Sequence, residues 1–204
     1  RFSQVESVSV EEVIRGEECA LNSGIPCTIL RPSMIFGPGD DRNISRMAAH
    51  LRRIRCIPVF GSGRPLQQPV FVDDVVSAIL ASLARGPGGE YALAGPRALS
   101  YNEVIDLVGN AIGVRPLKLH IPVHLALAVC HLARILPIEL ALDGEQVRRL
   151  QEDKCYSIDA ATEDLDFTPL GFEAALTRIY RSGPTRDQVT QIRSPRSGHP
   201  GPGE

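Results

Sequence analysis

The chain has 204 residues, 43% of them hydrophobic and 23% charged, which excludes a disordered, collagen-like or coiled-coil polypeptide and suits a single medium domain or a little more. Lys and Arg number 22 against 24 Asp and Glu, a formal charge of −2, so the chain has no general attraction for nucleic acid or anionic lipid. Aromatic residues make up 5% and Trp is absent, which leaves little surface for stacking bases.

In chain order, Val10 to Asn22 is predicted as a helix with Val10, Val13, Ile14 and Leu21 on its apolar side and Gly24 as its left-handed stop. Cys27 to Phe36 is nearly continuously apolar and reads as one strand covered on both faces, ended by Gly37-Pro38-Gly39. Asn43 to Ile54 is an amphipathic helix with Ile44, Met47, Ala48, Leu51 and Ile54 on one stripe. Short extended pieces follow at Ile57–Phe60 and Val70–Val72, separated by Gly61-Ser62-Gly63. Asp73 or Asp74 is expected to cap the next helix, which turns Val75, Val76, Ile79, Leu80 and Leu83 inward. After a turn at Gly86–Gly89 comes a strand at Glu90–Leu93.

Ser100 and Glu103 form an S-x-x-E capping box ahead of the stripe Val104, Ile105, Val108 and Ile112, and Gly113 closes that helix. Leu117–Ile121 is read as extended. Leu119 to Leu142 is the most apolar stretch, but prolines at 122 and 137 and several His, Arg and Glu residues break it, so a helix between prolines is expected and not a transmembrane span. A short helix at Glu145–Gln151 and a last one marked by Phe172, Leu176, Ile179 and Tyr180 complete the ordered part, and residues 183–204 read as a disordered tail. This alternation of helices, short apolar strands and glycine turns defines an α/β fold.

The five cysteines, at 19, 27, 56, 130 and 155, lack metal-ligand spacing and are expected as buried free thiols in a reducing compartment, which points to the cytoplasm. The chain opens on Arg1, and no charged-then-apolar leader is visible. His120 and His124 are four apart, yet Pro122 lies between them and a third ligand is missing, so no metal site is expected. Arg46, Arg52, Arg53 and Arg55 form a basic face on the Asn43 helix that reads as solvated.

The series ILRPSMIFGPGD at Ile29–Asp40, GSG at Gly61–Gly63 and VFVDDVVSAI at Val70–Ile79, followed by YNEVIDLVGNAIG and DLDFTPLGFEAAL, resembles the C-terminal half of extended short-chain dehydrogenases/reductases. These are the NAD-dependent epimerase/dehydratase proteins, and the resemblance is nearest to the atypical branch that includes the NAD(P)-binding accessory subunit of respiratory NADH dehydrogenase. It covers roughly Val10 to Tyr180. It implies the C-terminal part of a doubly wound, Rossmann-like parallel sheet (residues 1–60 as the remnant of a dinucleotide-binding domain) with a small α+β substrate domain over residues 61–182.

The same resemblance implies NAD or NADP as cofactor, a small-molecule substrate, or alternatively a non-catalytic NAD(P)-binding role within a larger protein complex. The family's G-x-x-G-x-x-G turn has no counterpart here, so the chain is read as N-terminally truncated, with the strand at Cys27–Phe36 left unpaired and the isolated chain poorly stable. The family's Tyr and Lys positions fall on Ser9 and Val13, with Glu17 matching a Glu common there, and neither Ser nor Val can perform that proton chemistry. No catalytic residue is therefore expected. By position, Pro32 and Ser33 would face the nicotinamide and Met34 the substrate. Gln67 would occupy the place of an Arg that grips sugar-nucleotide diphosphates, a bidentate role that a neutral amide cannot fill, while Arg64 is a solvated loop residue.

Overall fold

The computed structural model describes residues 8–38, 43–128 and 150–180, with residues 8–10 described in backbone only. Cys130, the apolar run beyond residue 128, all but the last two residues of the helix expected at Glu145–Gln151, and the expected tail lie outside the described residues; Leu150 and Gln151 themselves sit in a turn.

The elements are α1 (Val8–Asn22), β1 (Ile29–Pro32), β2 (Ile35–Phe36), α2 (Ile44–Ile54), β3 (Cys56–Phe60), β4 (Leu66–Gln67), β5 (Val70–Phe71), α3 (Val72–Arg85), β6 (Glu90–Leu93), β7 (Leu99–Ser100), α4 (Tyr101–Ala111), β8 (Leu117–Ile121), α5 (Asp159–Leu165) and α6 (Phe172–Tyr180). Three strand pairs are parallel: β1 with β6, β2 with β5, and β3 with β8. The fourth, β4 with β7, is antiparallel, with Gln67 opposite Leu99. The expected α/β class holds, with parallel pairing and helical crossovers.

The strand expected over Cys27–Phe36 is two strands. The chain bends at Ser33–Met34, and each half pairs elsewhere: β1 with β6 and β2 with β5. The expectation of an unpaired strand is thus corrected, as is that of burial on both faces, since every residue of β1 is only half-buried.

Two hydrophobic clusters flank β5. Phe71 joins Phe36, Leu51, Val59, Ile105 and Leu176 in the cluster beneath α2, α4 and α6. Its neighbour Val70 joins Tyr91, Leu93, Ala78 and Phe167 in the cluster between β6, α3 and α5. Alternation along a strand explains this: successive side chains leave opposite faces, so a two-residue strand serves two cores. Phe36 packs tilted at 5.7 Å against Phe71 and edge-on at 4.9 Å against Phe172, which locks α6 onto the first cluster.

The α4 signals are realised in full. The Ser100 hydroxyl accepts from the Glu103 N–H, the Glu103 carboxylate accepts from the Ser100 N–H, and Gly113 follows in the left-handed region at φ 72°. The α3 expectations need correction. Its N-cap is Phe71, without a side-chain cap. Asp74 instead accepts from the Leu170 N–H at 2.8 Å, and Asp73 pairs with Arg178 at 3.1 Å, so the two acids clamp the approach to α6. The helix also packs by its small face: Val75, Ala78 and Ser82 are buried, while Leu80 and Leu83 are 61% and 73% exposed and Val76 and Ile79 are exposed as well. In the same way Val13, Leu21 and Ile54 face outward.

The described cysteines are free, but Cys19 and Cys155 are exposed and Cys27 and Cys56 half-buried, which corrects the expected burial. Among the described residues no helix is long and apolar enough to cross a membrane. His120 and His124 are exposed, and no described group of His, Cys, Asp and Glu could hold a metal ion.

Candidate functional site

The bend between β1 and β2 opens a cleft. Parallel β1 ends at Pro32; the Ser33 N–H then donates to the Leu93 carbonyl at 2.8 Å, which continues the register with β6 for one residue before the chain turns away. The Ser33 hydroxyl donates to the Gln68 carbonyl, and the Val70 N–H donates to the Met34 carbonyl at 3.0 Å. These two bonds lay the Gln67–Val70 segment along the bend. A cavity of about 800 Å³ lies against it. Pro32, Ser33 and Met34 line one side and Gln67 and Gln68 another; Ile44, Arg46, Met47 and His50 come from α2, Ile57, Pro58 and Phe60 from β3, and Tyr101 and Val104 from α4. Leu150, Lys154 and Tyr156 close the remaining side. The size suits a small organic ligand.

All four residues singled out from sequence, Pro32, Ser33, Met34 and Gln67, line this one cavity. Ser33 spends both of its donors on local backbone, so it can offer a ligand only acceptor lone pairs. Gln67 is 5% exposed, and its amide nitrogen is buried without an acceptor. Gln68 is fully employed: its amide donates to the Gly95 carbonyl at 2.7 Å and its oxygen accepts from the Tyr156 N–H at 2.7 Å. Burial raises the Tyr101 and Tyr156 phenols above their ordinary value, so both stay protonated at neutral pH. Among the described residues, the charged side chains on the lining are Arg46 and Lys154. His50 is tied by Nε2 to the Cys56 carbonyl at 2.8 Å.

Sequence reasoning missed Gln68, Tyr101, Lys154 and Tyr156. Gln68 and Tyr156 meet across 88 positions, and nothing local announces such a contact. Arg64 is exposed on its loop and does not line the cavity. On the other side of β1, Arg31 bonds Glu17 of α1 at 2.8 Å and Glu90 of β6 at 2.6 Å. The Arg31 hydrogen bonds hold the Glu17 carboxyl below its usual value. Val13, at the position of the expected Lys, is 61% exposed on this helix and carries no titratable group.

The fold is of the α/β class, with parallel strand pairs joined by helical crossovers. Residues 15–94 match the family model described as the NAD dependent epimerase/dehydratase family. Among curated proteins it is 27% identical over 182 residues to the mitochondrial NADH dehydrogenase [ubiquinone] 1 alpha subcomplex subunit 9 of Arabidopsis thaliana, covering 82% of this chain and 45% of the relative. It is 26% identical to the 2-alkyl-3-oxoalkanoate reductase of Stenotrophomonas maltophilia, covering 89% of this chain and 57% of that protein. Short-chain dehydrogenase/reductase family 42E member 1 of Homo sapiens is 32% identical over 104 residues, 48% of this chain and 26% of that one. The chain therefore spans about half, or less, of the length of these relatives.

Among solved structures, UDP-glucuronic acid 4-epimerase from Bacillus cereus in complex with NAD superposes with a TM-score of 0.61 at 17% identity, over 91% of this chain and 52% of that one. RMD from Pseudomonas aeruginosa complexed with NADPH gives 0.56 at 17% identity, over 80% and 50%. These likenesses establish the fold.

Proposed function

We propose that the chain forms the strand-end and substrate-side walls of an NAD(P)-binding cleft in an epimerase/dehydratase-like protein. The observation that carries this reading is the bend at Ser33–Met34. It lies at the carboxyl end of parallel β1, within the segment matched by the family, and opens onto a cavity that also holds Gln67. In α/β sheets ligands lie at the carboxyl ends of strands. In this reading Pro32 and Ser33 border the nicotinamide, Met34 and Gln67 border the substrate, and residues 1–60 and 61–182 divide into cofactor-side and substrate-side parts. The residues present suit the nicotinamide end of a dinucleotide: an apolar strand end, acceptor lone pairs on Ser33 and an adjoining cavity. When bound, the cofactor supplies hydride chemistry; this chain's own part is to shape the cleft and hold a small-molecule substrate beside it.

A second reading is favoured by one observation. The positions of the expected Tyr and Lys fall on Ser9 and Val13, and the exposed Val13 cannot take part in proton transfer. In that reading the protein binds NAD(P) without turnover and docks in a larger assembly. The Arabidopsis relative, named as a subunit, supports it. The same relative is named mitochondrial, so mitochondrial residence stands against the cytoplasmic expectation, and fractionation of the native protein decides between them.

Titration of the protein expressed from its own gene with NADH and NADPH tests both readings. Binding accompanied by carbonyl reduction or epimerisation supports the first, binding without turnover supports the second, and no binding of either nucleotide overturns both.

A further inference from the structure

The segment leading into β8 packs on α4 by every second residue. The Val114 N–H donates to the Gly109 carbonyl at 2.8 Å. Pro116 lies so near Gly109 that a Cβ there would come within 2.7 Å of its ring. The Lys118 ammonium meets Asp106 of α4 at 2.6 Å. Side chains alternate along an extended segment, so Arg115, Leu117 and Leu119 leave by the opposite face. All three are exposed, Leu117 at 68% and Leu119 at 57%. The parallel partner β3 follows the same rule: Ile57 and Val59 enter the core, while Cys56 and Pro58 stand outward beside Leu117 and Leu119.

The corner between α2 and β3 extends this row. The Leu117 N–H donates to the Arg55 carbonyl at 2.7 Å, which sets the exposed Ile54 and Arg55 against the start of β8. An apolar surface of Ile54, Pro58, Leu117 and Leu119 results, with Arg55 and Arg115 at one end. Scattered exposed leucines are ordinary, but neighbouring ones on a hydrogen-bonded ribbon mark a contact surface. The dipole of α2 favours cations at its C-terminus. Arg115 reaches the same end from the loop after α4, so the helix dipole does not account for the whole charge.

The chemistry of this face narrows its partner. Interfaces between proteins are enriched in aromatic residues at their centre, whereas the exposed residues at the centre of this face are aliphatic. Aliphatic side chains on a membrane-facing surface enter the headgroup boundary, and longer arginine side chains keep their heads at the phosphates. We propose that the outer face of the β3–β8 ribbon docks on an anionic lipid bilayer, Leu117 and Leu119 entering the headgroup boundary and Arg55 and Arg115 meeting the lipid phosphates. The net charge of −2 gives the chain no general attraction for such a surface, so docking depends on this local arrangement. It does not depend on what the cleft binds.

The test is flotation of the protein expressed from its own gene with vesicles of phosphatidylcholine alone, or of equal parts phosphatidylcholine and phosphatidylserine. Binding is expected on the mixed vesicles, weaker on the neutral ones and weakened by salt. Leu117→Glu combined with Leu119→Glu should abolish it. Arg55→Gln combined with Arg115→Gln should weaken it about thirtyfold, at about fivefold for each arginine near the surface. In a Leu119→Trp variant the indole emission should move to shorter wavelength when mixed vesicles are added.

Failure to bind the mixed vesicles overturns the proposal. So does equal binding to the neutral ones, or binding that the Leu117 and Leu119 changes leave intact. Self-association in sedimentation that the same changes abolish, without vesicle binding, gives the face to a second copy and overturns it as well. Should the glutamate variant fail to fold by circular dichroism, Leu119→Trp decides, and an emission that vesicles leave unshifted counts against docking.

Discussion

The two hydrophobic clusters are built differently. The one beneath α2, α4 and α6 is closed: Phe36, Phe71 and Phe172 interlock, and the three helices bury Ile44, Leu51, Ile105 and Leu176 in it. The one between β6, α3 and α5 is made with small residues on its helices, Ala78 and Ala161 among them, and leaves Leu80 and Leu83 of α3 outside. The cleft rests on the first. Its lining residues Ile44, Ile57 and Val104 are members of that cluster, so the rigidity of the site depends on packing that the second cluster does not supply.

The largest effect should come from emptying the closed cluster. Phe71→Ala is expected to cost about 3–5 kcal/mol, whereas Leu83→Ala should change stability by no more than about 0.5 kcal/mol, both read by chemical denaturation. Equal losses would show that the outer face of α3 is packed after all.

A sharper contrast sits within the cleft. Gln68→Leu strands the Gly95 carbonyl and the Tyr156 N–H and should cost about 1–3 kcal/mol, while Gln67→Leu removes an unpaired donor and should be neutral or slightly stabilising in the same assay. Comparable costs would mean that Gln67 has a structural partner.

Loss of the α4 cap by Ser100→Ala should cost about 1 kcal/mol, measurable as a lower denaturation midpoint.

The smallest effect concerns the α1 side. Arg31 holds Glu17 ionised below the usual glutamate value, so this contribution is present above that value and disappears as pH falls through the lowered one. Glu17→Gln should therefore flatten part of the acid limb of the stability profile and leave the neutral region nearly unchanged. An unaltered acid limb would show the pair to be inert.

Much of the fold was legible where local chemistry acts alone. The α4 cap, the bounds of β6 and β8 and the α2 stripe from Ile44 to Leu51 all follow from capping, glycine placement and period. What was not legible depended on tertiary choice. The α3 sequence offers two apolar faces, and the smaller one packs because Val75, Ala78 and Ser82 allow close approach to α5 and β6. Helix α5 has seven residues and little periodicity, and β4 and β7 are each two residues long, too short for alternation to register. Asp74 reads as a cap from its position, and only the arrival of Leu170 from 96 residues away gives its carboxylate another use. At the site, the strand-end position of Ser33 and Met34 was readable, whereas the closing side at Lys154 and Tyr156 was not.

The most direct test of the central claim is a nicotinamide-fluorescence titration of the protein expressed from its own gene with NADH and NADPH, repeated on a Ser33→Trp variant that fills the bend. The account predicts saturable binding of at least one nucleotide and its loss in a variant that circular dichroism shows to be folded. Binding that the variant leaves intact, or no binding at all, would contradict it.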